Sequence, residues 1–213
     1  MHDTSRWLQG PRLRWPRGAL ALAAAVAALA GCKGHLPESS DFRNGVAVAA
    51  PAAYTDLCRR EPAVCALHRS LDDRGAVELD RATFQQLGTV NRAVNRELRY
   101  ASDSAVFGRH EYWTVPTRAG DCEDFALLKL QRLRALGFPR RALRMAIAVG
   151  DDGVMHAVLA VQTDRGTYIL DNNHAEPQPW TDMGYTAWRW EDPGEGGWLA
   201  NDDGGRTSAT ASR

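Results

Sequence analysis

The sequence predicts an α+β fold in which helices are followed by an antiparallel β-sheet. Two long segments, residues 81–100 and 122–136, have the apolar spacing of helices that bury one face. Three shorter segments after them have the apolar patterns of β-strands, and short polar turns separate these segments. Strands joined by short turns pair antiparallel, so we expect a layer of helices packed on an antiparallel sheet.

The first 31 residues have the pattern of an export signal. Several arginines precede an apolar run of twelve residues, Ala19–Ala30, which is too short to span a bilayer as a stable helix but is typical of a signal peptide. The run ends in Leu29-Ala30-Gly31-Cys32, which resembles the lipobox of bacterial lipoproteins. We therefore predict cleavage before Cys32 and lipidation of Cys32. An ordinary cleaved signal with a coincidental cysteine is the alternative.

The residues around the lipobox also predict where the chain is located. Lys33 follows Cys32, and this position lacks the Asp that suggests retention at the inner membrane, so a periplasmic lipoprotein of the outer membrane is expected. Loss of the leader removes four of 26 basic residues and one of 26 acidic ones, which leaves a net charge of −3. A mildly acidic chain without a basic cluster gives no support for nucleic-acid binding.

The mature chain is predicted to contain one globular domain. Its expected divisions are a signal peptide at 1–31, a tether at 32–53, a domain at 54–200 and a flexible tail at 201–213. The tether prediction depends on Pro, Ser and Gly residues and on the scarcity of large apolar side chains.

An exported protein folds in an oxidising compartment, which favours a disulfide. Since Cys32 is assigned to lipidation and Cys122 stands alone, Cys58 and Cys65 are the natural pair. Seven residues of unbroken helix would separate their Cα atoms by about 10 Å, too far for a disulfide. Pro62 lies between them and should interrupt the helix at residues 54–70. A reduced pair is the alternative.

Three strands are expected after the second long helix, and a Pro- and Trp-rich segment follows Asn173. The predicted strand bounds are residues 143–149, 154–162 and 167–171. We expect the Pro- and Trp-rich segment to wrap the sheet and to line a groove. Residues 101–120, before the second long helix, are expected to form a connecting loop.

A lone cysteine lies at the predicted start of the second long helix. Asp121 is a suitable N-cap, Asp124 is the second member of a cap-like pair, and Gly137 ends the apolar pattern. Cys122 is therefore expected at the first helical position, where the helix dipole favours a thiolate and free N–H groups can bind an oxyanion. An isolated cysteine is more often a small core residue, so a role as nucleophile requires partners elsewhere.

Those partners are predicted by the register of the last hairpin. If its four-residue turn pairs Gln162 with Thr167, His156 lies opposite Asn173, and Asp171 is the diagonal neighbour of His156 on the same face. A carboxylate there can fix the imidazole tautomer and stabilise its charged form. Each residue alone has a simpler explanation, a core histidine or a turn-forming aspartate. Together with Cys122 they make up a Cys-His-Asp triad.

The same segments resemble one protein family. Gly120-Asp121-Cys122-Glu123-Asp124-Phe125-Ala126 carries most of the resemblance, and further matching stretches are Tyr112-Trp113 with Pro116, His156-Ala157-Val158-Leu159, Leu170-Asp171-Asn172, Val90-Asn91 and the Cys58/Cys65 pair. Over about residues 54–195 the chain resembles the bacterial transglutaminase-like cysteine proteinases, which have a papain-like or transglutaminase-like fold. The resemblance implies a nucleophilic Cys122, a general acid and base His156 and an orienting Asp171.

The resemblance also implies a protein substrate, a metal and a regulator. It implies an exported endopeptidase that cleaves a protein such as a surface adhesin, an inhibitory membrane protein as a partner, and calcium held by Asp121 and Glu123. With Asp124, these carboxylates oppose a thiolate by charge repulsion and form a hard-oxygen site suited to calcium. Their favourable interaction with the helix dipole is the simpler explanation.

Two other functions agree with the same residues. A transglutaminase-type protein acyltransferase would use the same nucleophile and replace water by an amine, and the sequence does not separate it from a peptidase. A lipoprotein without catalytic activity would keep the fold for binding or scaffolding in the envelope. No organic cofactor is expected, and the six histidines show no spacing typical of a catalytic metal site.

Overall fold

The computed structural model describes residues 36–42, 45–66, 75–150, 152–192 and 197–201. The predicted signal segment, the lipidation site Cys32 and the tail beyond Asn201 lie outside these residues. Among the helices of the described ranges, none combines the length and the apolar character needed to cross a membrane.

The described part of the chain contains five α-helices, two short 3-10 helices at Arg140–Ala142 and Trp180–Asp182, and nine strands. The α-helices are α1 (Ala52–Arg60), α2 (Pro62–Cys65), α3 (Arg81–Glu97), α4 (Asp103–Phe107) and α5 (Cys122–Ala135). The strands are β1 (Gly45–Val48), β2 (Arg99–Tyr100), β3 (Ala119–Gly120), β4 (Leu143–Val149), β5 (Met155–Thr163), β6 (Gly166–Leu170), β7 (Gln178–Pro179), β8 (Thr186–Glu191) and β9 (Trp198–Asn201). The predicted α+β class is confirmed.

Seven of the strands form one antiparallel sheet in the order β1-β9-β8-β4-β5-β6-β7, and β2 and β3 pair in parallel beside it. The predicted register of the hairpin is confirmed, because Gln162 pairs with Thr167. Regular pairing in this hairpin extends as far as Leu159 and Leu170. His156 and Asp171 therefore lie where the two strands have begun to separate.

Helix α5 lies between the sheet and helix α3. It contacts β5 on one side and α3 on the other, and this explains why its buried residues are not limited to one face. Phe125, Leu127, Leu130 and Leu133 are all almost completely buried. A helix that is covered on most sides is apolar around most of its circumference. Its N-terminus, which begins with Cys122, is held against β5.

Part of the predicted tether packs on the domain. β1 pairs antiparallel with β9, and Ser40 and Phe42 hydrogen-bond to Thr167 of β6. Phe42 stacks on Trp190 with ring centroids 4.5 Å apart. The segment has few large apolar residues, but one buried phenylalanine and an unpaired sheet edge suffice to order it. The prediction of a tether over 32–53 therefore does not describe residues 36–42 and 45–48.

The Pro- and Trp-rich segment supplies strands of the sheet, which the sequence did not predict. Its tryptophans Trp188 and Trp198 are 1% exposed, on strands β8 and β9. Prolines and glycines between these strands hid their pattern, since each strand has only four to six residues. The tryptophans belong to the core and do not line the cavity described below.

The two cysteines of the first helical region form a disulfide. Glu61 separates α1 from α2, Pro62 is the first residue of α2, and the Cα atoms of Cys58 and Cys65 come within 5.4 Å. The interruption at Pro62 thus closes a distance that a continuous helix would leave open.

A buried ion pair connects this helical region to the sheet. Arg140 and Glu191 are both about 4% exposed or less at their side chains, and their charged atoms are 2.6 Å apart. The same Glu191 oxygen accepts a hydrogen bond from Tyr54 of α1 at 2.6 Å, while Arg140 also donates to the Val64 carbonyl of α2. Removal of one charge from such a pair leaves the other buried without compensation.

We expect Glu191→Gln to lower the free energy of unfolding by about 3 kcal/mol, because Arg140 would lose its counter-charge in the interior. Urea denaturation followed by far-UV circular dichroism measures this change. The matched control is Glu176→Gln, which removes the exposed pair with Arg92 and should cost less than about 1 kcal/mol. Equal effects of the two substitutions would contradict this account.

Candidate active site

Cys122 is the first residue of α5, as the sequence predicts, and Asp121 occupies the N-cap position. The carboxylate of Asp121 does not cap its own helix. Its Oδ2 instead accepts a hydrogen bond from the backbone N–H of Asp103 at 3.0 Å. The start of α5 is thereby connected to the first residue of α4.

The sulfur of Cys122 contacts both its own helix and the histidine strand. The backbone N–H of Ala157 donates to Sγ at 3.3 Å, and the thiol donates to Glu123 Oε2 at 3.4 Å. Burial and then the charge of Glu123 raise the pKa of the Cys122 thiol, and the Ala157 hydrogen bond only partly opposes them. The helix dipole alone therefore does not provide a thiolate here, and a base must take the proton.

His156 lies one residue before Ala157 and is oriented by Asp171. Its Nε2 is 2.7 Å from Asp171 Oδ1, which also accepts a hydrogen bond from the Asn173 backbone N–H at 2.9 Å. Burial would raise the pKa of Asp171, but hydrogen bonds led by that from His156 hold it well below its usual range. The carboxylate is thus charged, and Nδ1 is the imidazole nitrogen left for the thiol.

Two asparagines of α3 form hydrogen bonds with the backbone of the loop after Asp171. Asn95 Nδ2 donates to the carbonyl oxygens of Asp171 and His174 at 2.9 and 3.1 Å. Asn91 Nδ2 donates to the carbonyl oxygens of His174 and Ala175 at 2.7 and 3.1 Å. These amides replace the β-ladder at the point where the chain leaves β6, and they fix the backbone that carries Asp171.

A cavity of about 540 Å³ opens onto both Cys122 and His156. Its lining combines amide side chains, apolar side chains and one carboxylate: Asn95, Leu98, Tyr100, Phe125, Asp152, Val154, Met155, Asn172 and Asn173. Val154, Met155 and Tyr100 are each at least 60% exposed. The cavity that contains the sulfur therefore offers exposed apolar side chains to a ligand.

A cluster of acidic side chains surrounds the start of α5. Asp103, Asp121 and Asp124 offer oxygen atoms within 4.8 Å of one another, and so do Asp103, Glu111 and Glu123. Each of the three aspartates has one oxygen bound to a backbone N–H, that of Tyr112, Asp103 or Thr114 respectively. The second oxygen of each is buried and accepts no hydrogen bond from the described residues, and the same holds for Oε1 of Glu123.

Burial and mutual repulsion make these carboxylates difficult to ionise together. Burial raises the pKa of Glu123 to about 10 and that of Asp124 to about 8, and neighbouring carboxylates add to both shifts. Gly120 permits this crowding, because a Cβ there would lie 2.2 Å from Asp124 Oδ2. Buried oxygen atoms without donors are suited to a hard cation such as calcium. The residues present therefore fit a calcium ion.

Lys129 is a buried cation in the same helix. Its side chain is 1% exposed, seven residues after Cys122 and hence on the same face of α5. Burial lowers the pKa of Lys129 to about 7, and the charge of Asp171 opposes the shift. The ammonium group thus lies among core residues with the orienting carboxylate as its charged neighbour.

The structure brings together all the predicted site residues in the described ranges and adds several that sequence reasoning missed. Cys122 and His156 line the cavity, Asp171 is buried beside it and binds His156, and Asp121 and Glu123 lie in the acidic cluster. The missed residues are Asp103 and Glu111 of the acidic cluster, Asn95 of α3, Lys129, and His174 and Tyr185, which contact Asp171 Oδ2. Asn91 entered only as part of the family resemblance. Of the missed residues, Lys129 could have been noticed in the sequence, because a lysine interrupts the apolar face of the predicted helix.

A family model supports the interpretation of this geometry. The model of the bacterial transglutaminase-like cysteine proteinases (BTLCP) matches residues 44–204, which is more than half of the 213-residue chain. No curated protein sequence shows significant similarity to the chain.

Solved structures similar to the chain include LapG of Legionella pneumophila. The calcium-bound form is 27% identical, with 57% of this chain and 71% of that chain covered and a TM-score of 0.48. The EGTA-treated form is 28% identical, with 58% of this chain and 70% of that chain covered and the same TM-score of 0.48.

We expect Lys129→Met to stabilise the protein at neutral and acidic pH, on the order of a few kcal/mol, by removing a desolvated charge. Between pH about 7 and 10.5 the unfolded wild type retains a proton on Lys129 that the folded form has lost. Wild-type stability therefore rises with pH through this window relative to the variant. Urea denaturation from pH 6 to pH 10 measures the difference.

Arg132→Met is the matched control, because Arg132 lies on the partly exposed side of the same helix. Its difference from wild type should be independent of pH in this window. A constant difference for Lys129→Met as well would disprove the assigned desolvation of Lys129.

Proposed function

Because the chain belongs to the bacterial transglutaminase-like cysteine proteinases, we propose that it is a cysteine endopeptidase of the cell envelope. Cys122, His156 and Asp171 carry the reaction. The observation that most supports this assignment is the hydrogen bond from Ala157 N–H to Cys122 Sγ. It brings the sulfur next to the strand position of His156, while Asp171 binds the far nitrogen of the same imidazole.

Acylation begins when a peptide carbonyl enters the cavity above Cys122. The thiol proton passes to His156 Nδ1 while Sγ forms a bond to the carbonyl carbon, and the backbone N–H at the start of α5 binds the oxyanion. The tetrahedral intermediate then collapses. The C–N bond breaks, and His156 delivers the proton to the leaving amine. Asp171 stabilises the charged imidazole between these two steps.

Deacylation uses the same residues with water in place of the amine. His156 removes a proton from water, which attacks the thioester carbonyl, and Cys122 leaves as the thiol after the proton is returned. The new carboxyl group is then released from the cavity. Transfer to an amine would use the same acyl-enzyme, so the choice of acceptor decides between a peptidase and an acyltransferase.

Calcium belongs to this proposal as a structural ion at the acidic cluster. Asp103, Asp121 and Asp124 would hold it with their unpartnered oxygens, and Glu123 and Glu111 lie beside them. A divalent cation there supplies positive charge that offsets the repulsion among the carboxylates. Glu123 also accepts the thiol hydrogen bond. Its charge state therefore influences the ease with which Cys122 loses a proton.

The location and the substrate rest on sequence features. The leader and lipobox favour export and anchoring at the outer membrane through Cys32, and the family resemblance favours a surface protein such as an adhesin as substrate. An inhibitory membrane protein is an expected regulator on the same basis. The apolar side chains at the rim of the cavity, Tyr100, Val154 and Met155, suit an extended segment of a protein substrate.

We expect a specific surface protein to be retained in cells that carry Cys122→Ala and released as a truncated form in wild-type cells. Quantitative proteomics of envelope and secreted fractions measures the release, and N-terminal sequencing locates the cleaved bond. Identical fractions from the two strains would argue against an envelope peptidase. With purified protein, covalent attachment of a labelled amine to an acceptor would instead indicate acyl transfer.

We expect calcium to raise the melting temperature of the purified protein, and Asp103→Asn to remove most of that increase. A ligand at one hundred times its Kd stabilises the folded state by about 2.7 kcal/mol. Differential scanning calorimetry with calcium chloride or EGTA measures the shift. Asp56→Asn is the control, since Asp56 lies on α1 and forms ion pairs with two arginines of the same helix. An unchanged shift in Asp103→Asn would exclude this cluster.

A further inference from the structure

The second oxygen of Asp171 has two side-chain donors that the mechanism above does not use. Tyr185 donates its hydroxyl hydrogen to Oδ2 at 2.8 Å, and His174 Nδ1 lies 3.1 Å from the same atom. With His156 and the Asn173 N–H on Oδ1, each carboxylate oxygen has two partners. The carboxylate, which is 1% exposed, is thereby fixed in rotation as well as in position.

Tyr185 also touches the imidazole that Asp171 orients. The rings of Tyr185 and His156 meet edge to face, with centroids 5.7 Å apart and an interplanar angle of 81°. Such a contact restricts rotation of the imidazole about its Cβ–Cγ bond. Tyr185 therefore contacts both members of the His156–Asp171 pair, whereas the imidazole of His174 contacts the carboxylate of that pair.

An irregularity in the sheet directs Tyr185 towards this pair. The pairing of β4 with β8 shifts between Ile147 and Val149, so that β8 contains one extra residue. Ala187, in this bulge, has a φ of 49°, which is costly for a residue other than glycine. Bulges next to active sites commonly redirect a side chain. The indole of Trp188 then fixes the turn by donating to the Tyr185 carbonyl at 3.1 Å.

Resting on the peptidase function proposed above, we propose that Tyr185 is a positioning residue of the reaction. Its hydroxyl fixes Asp171 Oδ2 while its ring holds the His156 imidazole, so that Nδ1 remains directed at the Cys122 thiol. Tyr185 transfers no proton and forms no bond to the substrate. Its contribution passes through Asp171 and His156, and it should disappear when Asp171 cannot orient the imidazole.

The test uses iodoacetamide as a probe of the Cys122 thiol, which requires no knowledge of the substrate. The alkylation rate is followed by mass spectrometry of the tryptic peptide 119–129, which separates Cys122 from Cys32 in the full chain. We expect Tyr185→Phe to lower the rate at least about tenfold, because a small error in orientation is costly in a preorganised site. In an Asp171→Ala background, Tyr185→Phe should change the rate less than about twofold.

Tyr168→Phe is the matched control, since it also removes a tyrosine hydroxyl that hydrogen-bonds inside the fold, to the Pro37 carbonyl. It should leave the alkylation rate unchanged, and melting temperatures show that each variant is folded. The proposal is overturned if Tyr185→Phe alkylates like wild type, or if its effect is the same with and without Asp171. If His156→Ala also alkylates like wild type, the proposed triad fails, and this result is distinct from a failure at Tyr185 alone.

Discussion

The hydrogen bond from the Ala157 backbone to the Cys122 sulfur connects the two layers on which the site depends. Cys122 opens helix α5, and Ala157 lies on β5, next to His156. The contact exists because α5 is buried between the sheet and α3, with Phe125 and Leu127 almost fully enclosed. Close packing leaves such a helix little freedom to slide. The position of the Cys122 sulfur next to the strand that carries His156 is therefore a consequence of the packed core.

The same burial makes the site electrostatically costly. Glu123, Asp124 and Lys129 lie within two turns of one helix, and each is 4% exposed or less. Burial raises the pKa of the two carboxyl groups and lowers that of the lysine, so it favours the neutral form of each. Buried charges are tolerated when they are paired or hold a cation. A cation at the acidic cluster would relieve the repulsion, and Asp171 partly compensates Lys129. Helix α5, which begins with Cys122, thus contains buried ionisable groups that need charged partners from neighbouring segments or a bound cation.

The sequence predicts local geometry well where a short-range rule applies. Asp121 and Gly137 bracket α5, and the four-residue turn sets the pairing of Gln162 with Thr167, which carries Asp171 to the side of His156. It does not predict what distant segments add. Asp103 and Glu111 come from a stretch without periodicity. Strand β1 forms only because the edge of β9 is free to pair. Tertiary contacts decided these features, and no pattern of residues signals them.

Asp171 illustrates why a triad read from the sequence is incomplete. The sequence identifies the three side chains of the proposed triad. The carboxylate of Asp171 can orient the imidazole only if it is ionised, buried and fixed in position. Desolvation opposes ionisation, and the hydrogen bonds that favour it come from His156, from the following loop and from Tyr185, the residue before β8. A buried polar group with all partners in place is rigid, whereas one that lacks a partner is costly. The contacts of Asp171 are therefore complete only when the C-terminal strands have joined the sheet, although the proposed nucleophile lies far earlier in the chain.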